Sequence, residues 1–215
     1  MLRRLSALFA ALCTLCTLCS LLLVSAPAHA GGGPFGIDTY HSPNDSGIWA
    51  RSNQLALDGV VLVGVVGTAL WEGTDSAVGN VAWKSIDSMV ATAITTSVMK
   101  EVFTRKRPSQ STNPDDFFAG SGYQSFPSGE AAMMAAAVAP AIAMYGDSNP
   151  AVWGLLALPI YMSAARMQVN GHWLSDVLVG SAVGGYVGTR MAARKSPWVL
   201  GLTADGVFIG WKKKF

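Results

Sequence analysis

Apolar residues dominate five stretches of this chain, and in each they recur at helical rather than alternating spacing. The first runs from about Gln54 to Trp71 and is uncharged apart from Asp58. The second spans Trp83 to Phe103, and the alanine-rich third spans Glu130 to Met144. The fourth covers Ala151 to Met167 and the fifth Trp173 to Ala193. Five main helices are therefore expected, joined between Arg105 and Gly129 by polar, turn-rich sequence containing Asn113-Pro114 and Gly120-Ser121-Gly122. Residues 31–53, rich in Gly, Pro, Asn and Ser, read as an irregular lead-in. Strict alternation occurs only near the C-terminus, where Trp198, Leu200 and Leu202 precede Asp205-Gly206 and Val207, Ile209 and Trp211 follow. That arrangement predicts a β-hairpin. The expected fold class is all-α: a helical domain over 54–196, then a hairpin and the basic tail Lys212 to Lys214 over 197–215. The tail reads as a solvated cationic end rather than a specific contact with anionic lipid.

A membrane span needs about 20 mainly apolar residues. The stretches here are shorter, or are interrupted by Asp58, Pro159 or Asp176. Their alanines and glycines permit close helix contacts in water or in lipid. A compact soluble bundle and a short-helix membrane bundle both fit this pattern. The N-terminus is clearer: Met1-Leu2-Arg3-Arg4, an apolar run through Val24, then Ala28-His29-Ala30. A basic start, an apolar core and an A-x-A site make residues 1–30 a signal peptide, the alternative being an uncleaved anchor. The expected location is the periplasm or extracytoplasmic envelope, with association at a membrane. All three cysteines fall in the leader, each preceded by leucine rather than a small residue, so neither a disulfide nor a lipoprotein cysteine is expected. The formal charge of +2 disappears with Arg3 and Arg4. The balance that remains argues against a nucleic-acid partner, and the length suits one domain with its own core. Oligomeric state is not legible.

Chemistry concentrates in a split cluster. His172, one of three histidines, stands six residues after Arg166 and four before Asp176, which brings the three near one helical face or its first turn. Asp176 could take the proton of one ring nitrogen and leave the other free to attack, as a positioning group does for a base or nucleophile. Lys100 and Arg107, seven residues apart at a helix-to-loop junction, add two cations. Arginine grips phosphate oxygens through paired hydrogen bonds and lysine acts as a point charge. Arg105 and Lys106 between them read as a solvated basic patch, and Pro108 stops the helix. Pro127-Ser128-Gly129 precedes the alanine-rich helix. Ser128 is the expected N-cap, and the first N–H groups of the helix, with Gly129 allowing close approach, suit an oxyanion. A plain capped helix would use the same triplet.

Three pieces, Lys100–Pro108 (KEVFTRKRP), Pro127-Ser128-Gly129 and Ala165–Asp176 (ARMQVNGHWLSD), resemble the signature blocks of the type 2 phosphatidic acid phosphatase (PAP2) superfamily. That superfamily includes bacterial non-specific acid phosphatases and vanadium-dependent haloperoxidases. The resemblance covers roughly residues 54–193. It implies a helical phosphatase that needs no metal or other cofactor and works through a phosphohistidine. His172 would be the nucleophile and Asp176 its orienting carboxylate. Lys100, Arg107 and Arg166 would bind phosphate, with Ser128 and the Gly129 amide completing the cradle. Two positions depart from the pattern. Ala165 stands where serine normally precedes the arginine. Glu130 stands where the family has the histidine that protonates the leaving alcohol.

A glutamate can serve as that acid only if its pKa is raised toward neutrality. Burial would raise it, whereas nearby cations and the helix N-terminus favour the ionised form. An ionised Glu130 would repel a phosphate dianion, and it could equally be a good first-turn residue and no more. Three functions follow. The leading one is hydrolysis of phosphate monoesters or lipid (di)phosphates, with a phosphorylated lipid or small phosphate ester as the partner. A phosphate leaving group needs less acid help, which favours a diphosphate. The alternatives are a non-catalytic phosphate- or phospholipid-binding envelope protein with a decayed site, and a vanadium-dependent haloperoxidase.

Overall fold

The structure is a computed structural model that describes residues 31–194, 198–203 and 206–211. The expected signal peptide, the residues 204 and 205 of the expected turn, and the basic tail lie outside the described residues. Five α-helices follow one another: α1 (Arg51–Glu72), α2 (Ala77–Phe103), α3 (Gly129–Tyr145), α4 (Ala157–Gln168) and α5 (Leu174–Ala192). The strands β1 (Trp198–Thr203) and β2 (Gly206–Trp211) pair antiparallel, with Trp198 opposite Trp211 and Thr203 opposite Gly206. The fold is all-α with this short hairpin appended.

Local chemistry sets the helix boundaries. The Asp45 side chain accepts from the Arg51 N–H at 2.6 Å and starts α1. Ser76 accepts from the Gly79 N–H at 2.9 Å and starts α2. Thr104, left-handed at φ 35°, ends α2. Pro140 lies inside α3 and cannot donate to the preceding turn. Beside that interruption the Ser85 hydroxyl of α2 donates to the Ala137 carbonyl at 2.7 Å. The fourth apolar stretch divides: Pro150–Leu156 is a 3-10 helix, and α4 begins only at Ala157.

Helix α3 is the centre of the bundle, buried without a break from Ala131 to Pro140 except at Met133. It packs most extensively on α5, and then on α2. The α3–α5 contact depends on missing side chains. Gly180, Gly184 and Gly188 recur every fourth residue, on one face of α5. A Cβ at Gly184 would run into the Ala132 carbonyl, and one at Gly180 into the Ser128 carbonyl. Alanine opposite glycine thus lets the two backbones approach directly. The first residues of α3 and α5 are held together by the Ser128 N–H, which donates to the Asp176 carbonyl at 2.9 Å.

Helix α1 is the least buried. By length and composition it is the one helix among the described residues that could cross a membrane, with mean hydropathy 1.7 and 11% of that window buried. Between α1, α2, α3 and the start of α4 an open groove of about 440 Å³ is lined almost wholly by apolar groups, among them Val61, Val65, Val81, Val138 and Leu158.

Candidate active site

The bundle gathers its chemistry at one end. The N-termini of α3 and α5 meet there, as do the residues at or just past the C-termini of α2 and α4. Helix N-termini bring unpaired N–H groups and partial positive charge. Lys100 lies in the last turn of α2 and Arg166 in the last turn of α4. Ser128 caps α3, its hydroxyl facing the Ala131 N–H at 3.5 Å, and Glu130 follows in the first turn. His172 precedes α5 and Asp176 stands in its first turn.

His172 is 3% exposed. Its Nδ1 lies 2.8 Å from the Ser125 carbonyl, which can only accept, so Nδ1 carries the proton and Nε2 the lone pair. Burial above all, and then Lys100 and Arg107, push the imidazole pKa down to about 4, against the opposing pull of Asp176. The ring is therefore neutral at ordinary pH. Asp176 Oδ2 stands 3.6 Å from Nδ1, too far for a hydrogen bond but close enough to interact with charge on the ring. The Asp176 carboxylate spends its hydrogen bonds elsewhere. It accepts from the Ser125 hydroxyl at 2.5 Å, the Trp173 N–H at 2.9 Å and Arg105 Nη1 at 2.5 Å. Burial opposes its ionisation, but His172, Arg105 and Ser125 outweigh it and hold the pKa below the usual carboxylate value.

Lys100 donates to the Gln124 carbonyl at 2.7 Å, and its stem passes over Gly129. Burial lowers its pKa to about 8, with Arg107 adding repulsion. The Arg107 guanidinium makes no hydrogen bond or ion pair among the described residues, while its N–H donates to Gln110. Arg166 Nη1 donates to Gln54 Oε1 at 3.1 Å. Its Nε lies 3.1 Å from Glu130 Oε2 without the alignment of a hydrogen bond, so this is an ion pair held by charge alone.

Glu130 is the centre of a second network. Arg51 of α1 grips its carboxylate with two parallel hydrogen bonds of 2.7 and 2.6 Å, and also reaches Gln54 at 3.0 Å. Burial favours the neutral acid, yet Arg51 and Arg166 prevail and hold its pKa below the ordinary value. Of the two states open to it in the sequence, Glu130 occupies the ionised one.

The structure corrects three readings of the sequence. Helix α2 ends at Thr104, four residues before Pro108, and the Nδ1 proton of His172 goes to the Ser125 carbonyl rather than to Asp176. Arg105 is not part of a solvated basic patch. It is fully buried, and it bridges Asp38 at 2.6 Å and Asp176 at 2.5 Å. Lys106 is partly exposed and lies 3.6 Å from Asp116. Sequence reasoning also passed over Arg51, Gln54, Asp38 and Ser125. Arg51 and Gln54 open α1, on the turn before Asp58, and polar residues at the head of an apolar helix are a legible signal. Asp38 lies in the irregular lead-in, where nothing distinguishes it from its neighbours.

The arrangement can bind a tetrahedral anion between three cations and the N-terminus of α3, with an unprotonated imidazole nitrogen beside it. The family model of the PAP2 superfamily matches residues 82–197. All three blocks fall inside that span, whereas Asp38, Arg51 and Gln54 fall outside it. Neither a curated protein nor a solved structure matches the chain.

Proposed function

The chain belongs to the PAP2 superfamily, whose members are generally phosphatases, and from that premise we propose that it hydrolyses lipid diphosphates or phosphate monoesters through a phosphohistidine on His172. The observation that carries this reading is the proton on Nδ1, fixed by the Ser125 carbonyl, which leaves Nε2 as a neutral nucleophile. Its lone pair attacks phosphorus while the bond to the leaving oxygen breaks. Lys100, Arg107 and Arg166 meet the charge on the equatorial oxygens, joined by the Ser128 hydroxyl and the Gly129 N–H. Water then attacks the phosphorus of the N–P bond, releasing inorganic phosphate and restoring neutral His172. Asp176 stabilises the positive charge that the ring carries while phosphorylated.

Ionised Glu130 has no proton to give, so the leaving group departs with help from water alone. This favours a leaving group that is already a weak base, such as the phosphate of a diphosphate. Glu130 instead positions Arg166 and neutralises part of the surrounding positive charge. The apolar groove supports a hydrocarbon-bearing substrate: it is lined on α1 from Val61, on α3 from Ala137, about two turns past Glu130, and on α2 near its start, at the end away from Lys100.

Turnover of a prenyl diphosphate and of p-nitrophenyl phosphate, compared in the wild type and Glu130→Gln, tests the proposal. The diphosphate is expected to be the better substrate by kcat/KM. Glu130→Gln is expected to keep turnover within about tenfold and to bind inorganic phosphate more tightly, since Arg51 and Arg166 lose a competitor. Loss of turnover with intact phosphate binding would instead make Glu130 the acid.

A further inference from the structure

The lead-in segment reaches the centre of the catalytic network. The Gly32 and Asp38 backbones bond reciprocally at 3.0 Å, and the Gly33 N–H donates to Asp115 at 2.8 Å. Further on, the Asn44 N–H donates to the Gln168 carbonyl at 2.7 Å. The loop so formed delivers the Asp38 carboxylate, 1% exposed, to the start of α5. Its Oδ1 accepts from the Ser175 N–H at 2.7 Å, and its Oδ2 from the Ser175 hydroxyl at 2.6 Å and Arg105 Nη2 at 2.6 Å. The loop is shaped for this contact. Gly33 sits at φ 71°, and a Cβ there would collide with both the Asp38 carboxylate and Arg105.

Buried charges must be compensated at close range. Arg105 alone beside Asp176 would cancel the charge that Asp176 offers to His172, because its Nη1 lies 2.5 Å from the carboxylate. A second carboxylate on the same guanidinium returns the group to a net charge of −1. We propose that Asp38 is a positioning residue for the phosphohistidine step: by neutralising Arg105, it leaves the negative charge of Asp176 available to the imidazolium that forms on His172. Arg105 then fixes the Asp176 carboxylate in place without discharging it. This inference rests on the phosphohistidine reading, and it extends the working site to a residue outside the three signature blocks and outside the family match.

The test compares steady-state turnover, inhibition by inorganic phosphate and near-UV circular dichroism for the wild type, Asp38→Asn, and the double variant Asp38→Asn/Arg105→Gln. Asp38→Asn keeps the shape of the side chain but removes one charge. It is expected to lower kcat by about tenfold or more while KM and phosphate inhibition stay within about twofold. The double variant restores the net charge beside His172 and is expected to recover part of the lost kcat. A merely structural role predicts the opposite, because removing a second buried hydrogen-bonding group should make matters worse. An unchanged kcat in Asp38→Asn, or a double variant that is folded and no more active than the single, would overturn the inference. If Asp38→Asn fails to fold, the double variant decides alone: turnover near wild type supports the charge argument, and a folded, inactive protein overturns it. Wild-type protein without any phosphoenzyme would overturn the phosphohistidine reading itself, and this inference with it, in an arm of the experiment separate from the variants.

Discussion

Of the three cations proposed to hold phosphate, Lys100 is the one whose charge can be removed at accessible pH. Its burial brings the ammonium pKa down to about 8, so the cation is present below that pH and lost above it. Phosphate affinity should fall as pH rises through 8, seen as a rising KM and a falling kcat/KM. Lys100→Arg should remove this alkaline limb, because a guanidinium does not titrate there. A KM that stays flat to pH 9.5 in the wild type would contradict the placement of Lys100 against the phosphate. The acid side behaves differently. With its pKa near 4, His172 remains unprotonated well into the acid range. Individual residues were partly legible in the sequence. Spacing brought His172 and Asp176 together because they flank the entry turn of α5, whereas Arg166 comes from the last turn of α4, across the break between the two helices. Arg105 could not be told from Lys106 and Arg107 on either side, since its burial is decided by Asp38, 67 positions away. Glu130 likewise had two chemical states open to it until Arg51 was found on its carboxylate.

Helices position the site through their ends, and their ends were the hardest features to read. Helix α2 starts at Ala77, ahead of the apolar run that begins at Trp83, because Ser76 caps a first turn in which Gly79 and Asn80 interrupt the apolar pattern. The 3-10 helix at Pro150–Leu156 was hidden inside a continuous apolar stretch. Close packing of α5 on α3 gives the sharpest prediction for an element. Gly184→Val should destabilise the protein by about 1–3 kcal/mol or more, since the side chain has no space beside the Ala132 backbone. It should also lower turnover by shifting the start of α3, where Ser128 and Gly129 lie. Gly185→Ala, one position on, faces open space, and should be neutral or stabilising by up to about 1 kcal/mol. Thermal unfolding of the two variants checks the contrast. Equal losses would mean that the α3–α5 contact does not depend on the bare glycine face.

The whole molecule leaves a large apolar surface uncovered. Along α2, Val90, Ile94, Val98 and Val102 recur every fourth residue and are all exposed, and on α1 Val63 and Trp71 are 71% and 89% exposed. Apolar faces on this scale mark a lipid or protein contact, which fits a phosphorylated lipid as substrate. Purified protein should co-sediment with phospholipid vesicles, and Ile94→Glu/Val98→Lys should weaken that binding while sparing turnover of p-nitrophenyl phosphate. Protein that stays in the supernatant as a dispersed monomer would contradict a lipid-facing surface. The question left open by the sequence, between a soluble and a membrane bundle, turned on which apolar residues pack inward, and hydropathy along the chain does not carry that information. Above these features stands the claim that phosphorus is transferred to His172. Its most direct test is rapid acid-free quenching of the enzyme with 32P-labelled substrate, followed by phosphoamino-acid analysis of the wild type and His172→Ala. Acid-labile, base-stable label on His172 that vanishes in His172→Ala is the expected result. Turnover with no labelled protein, or label that persists in His172→Ala, would contradict it.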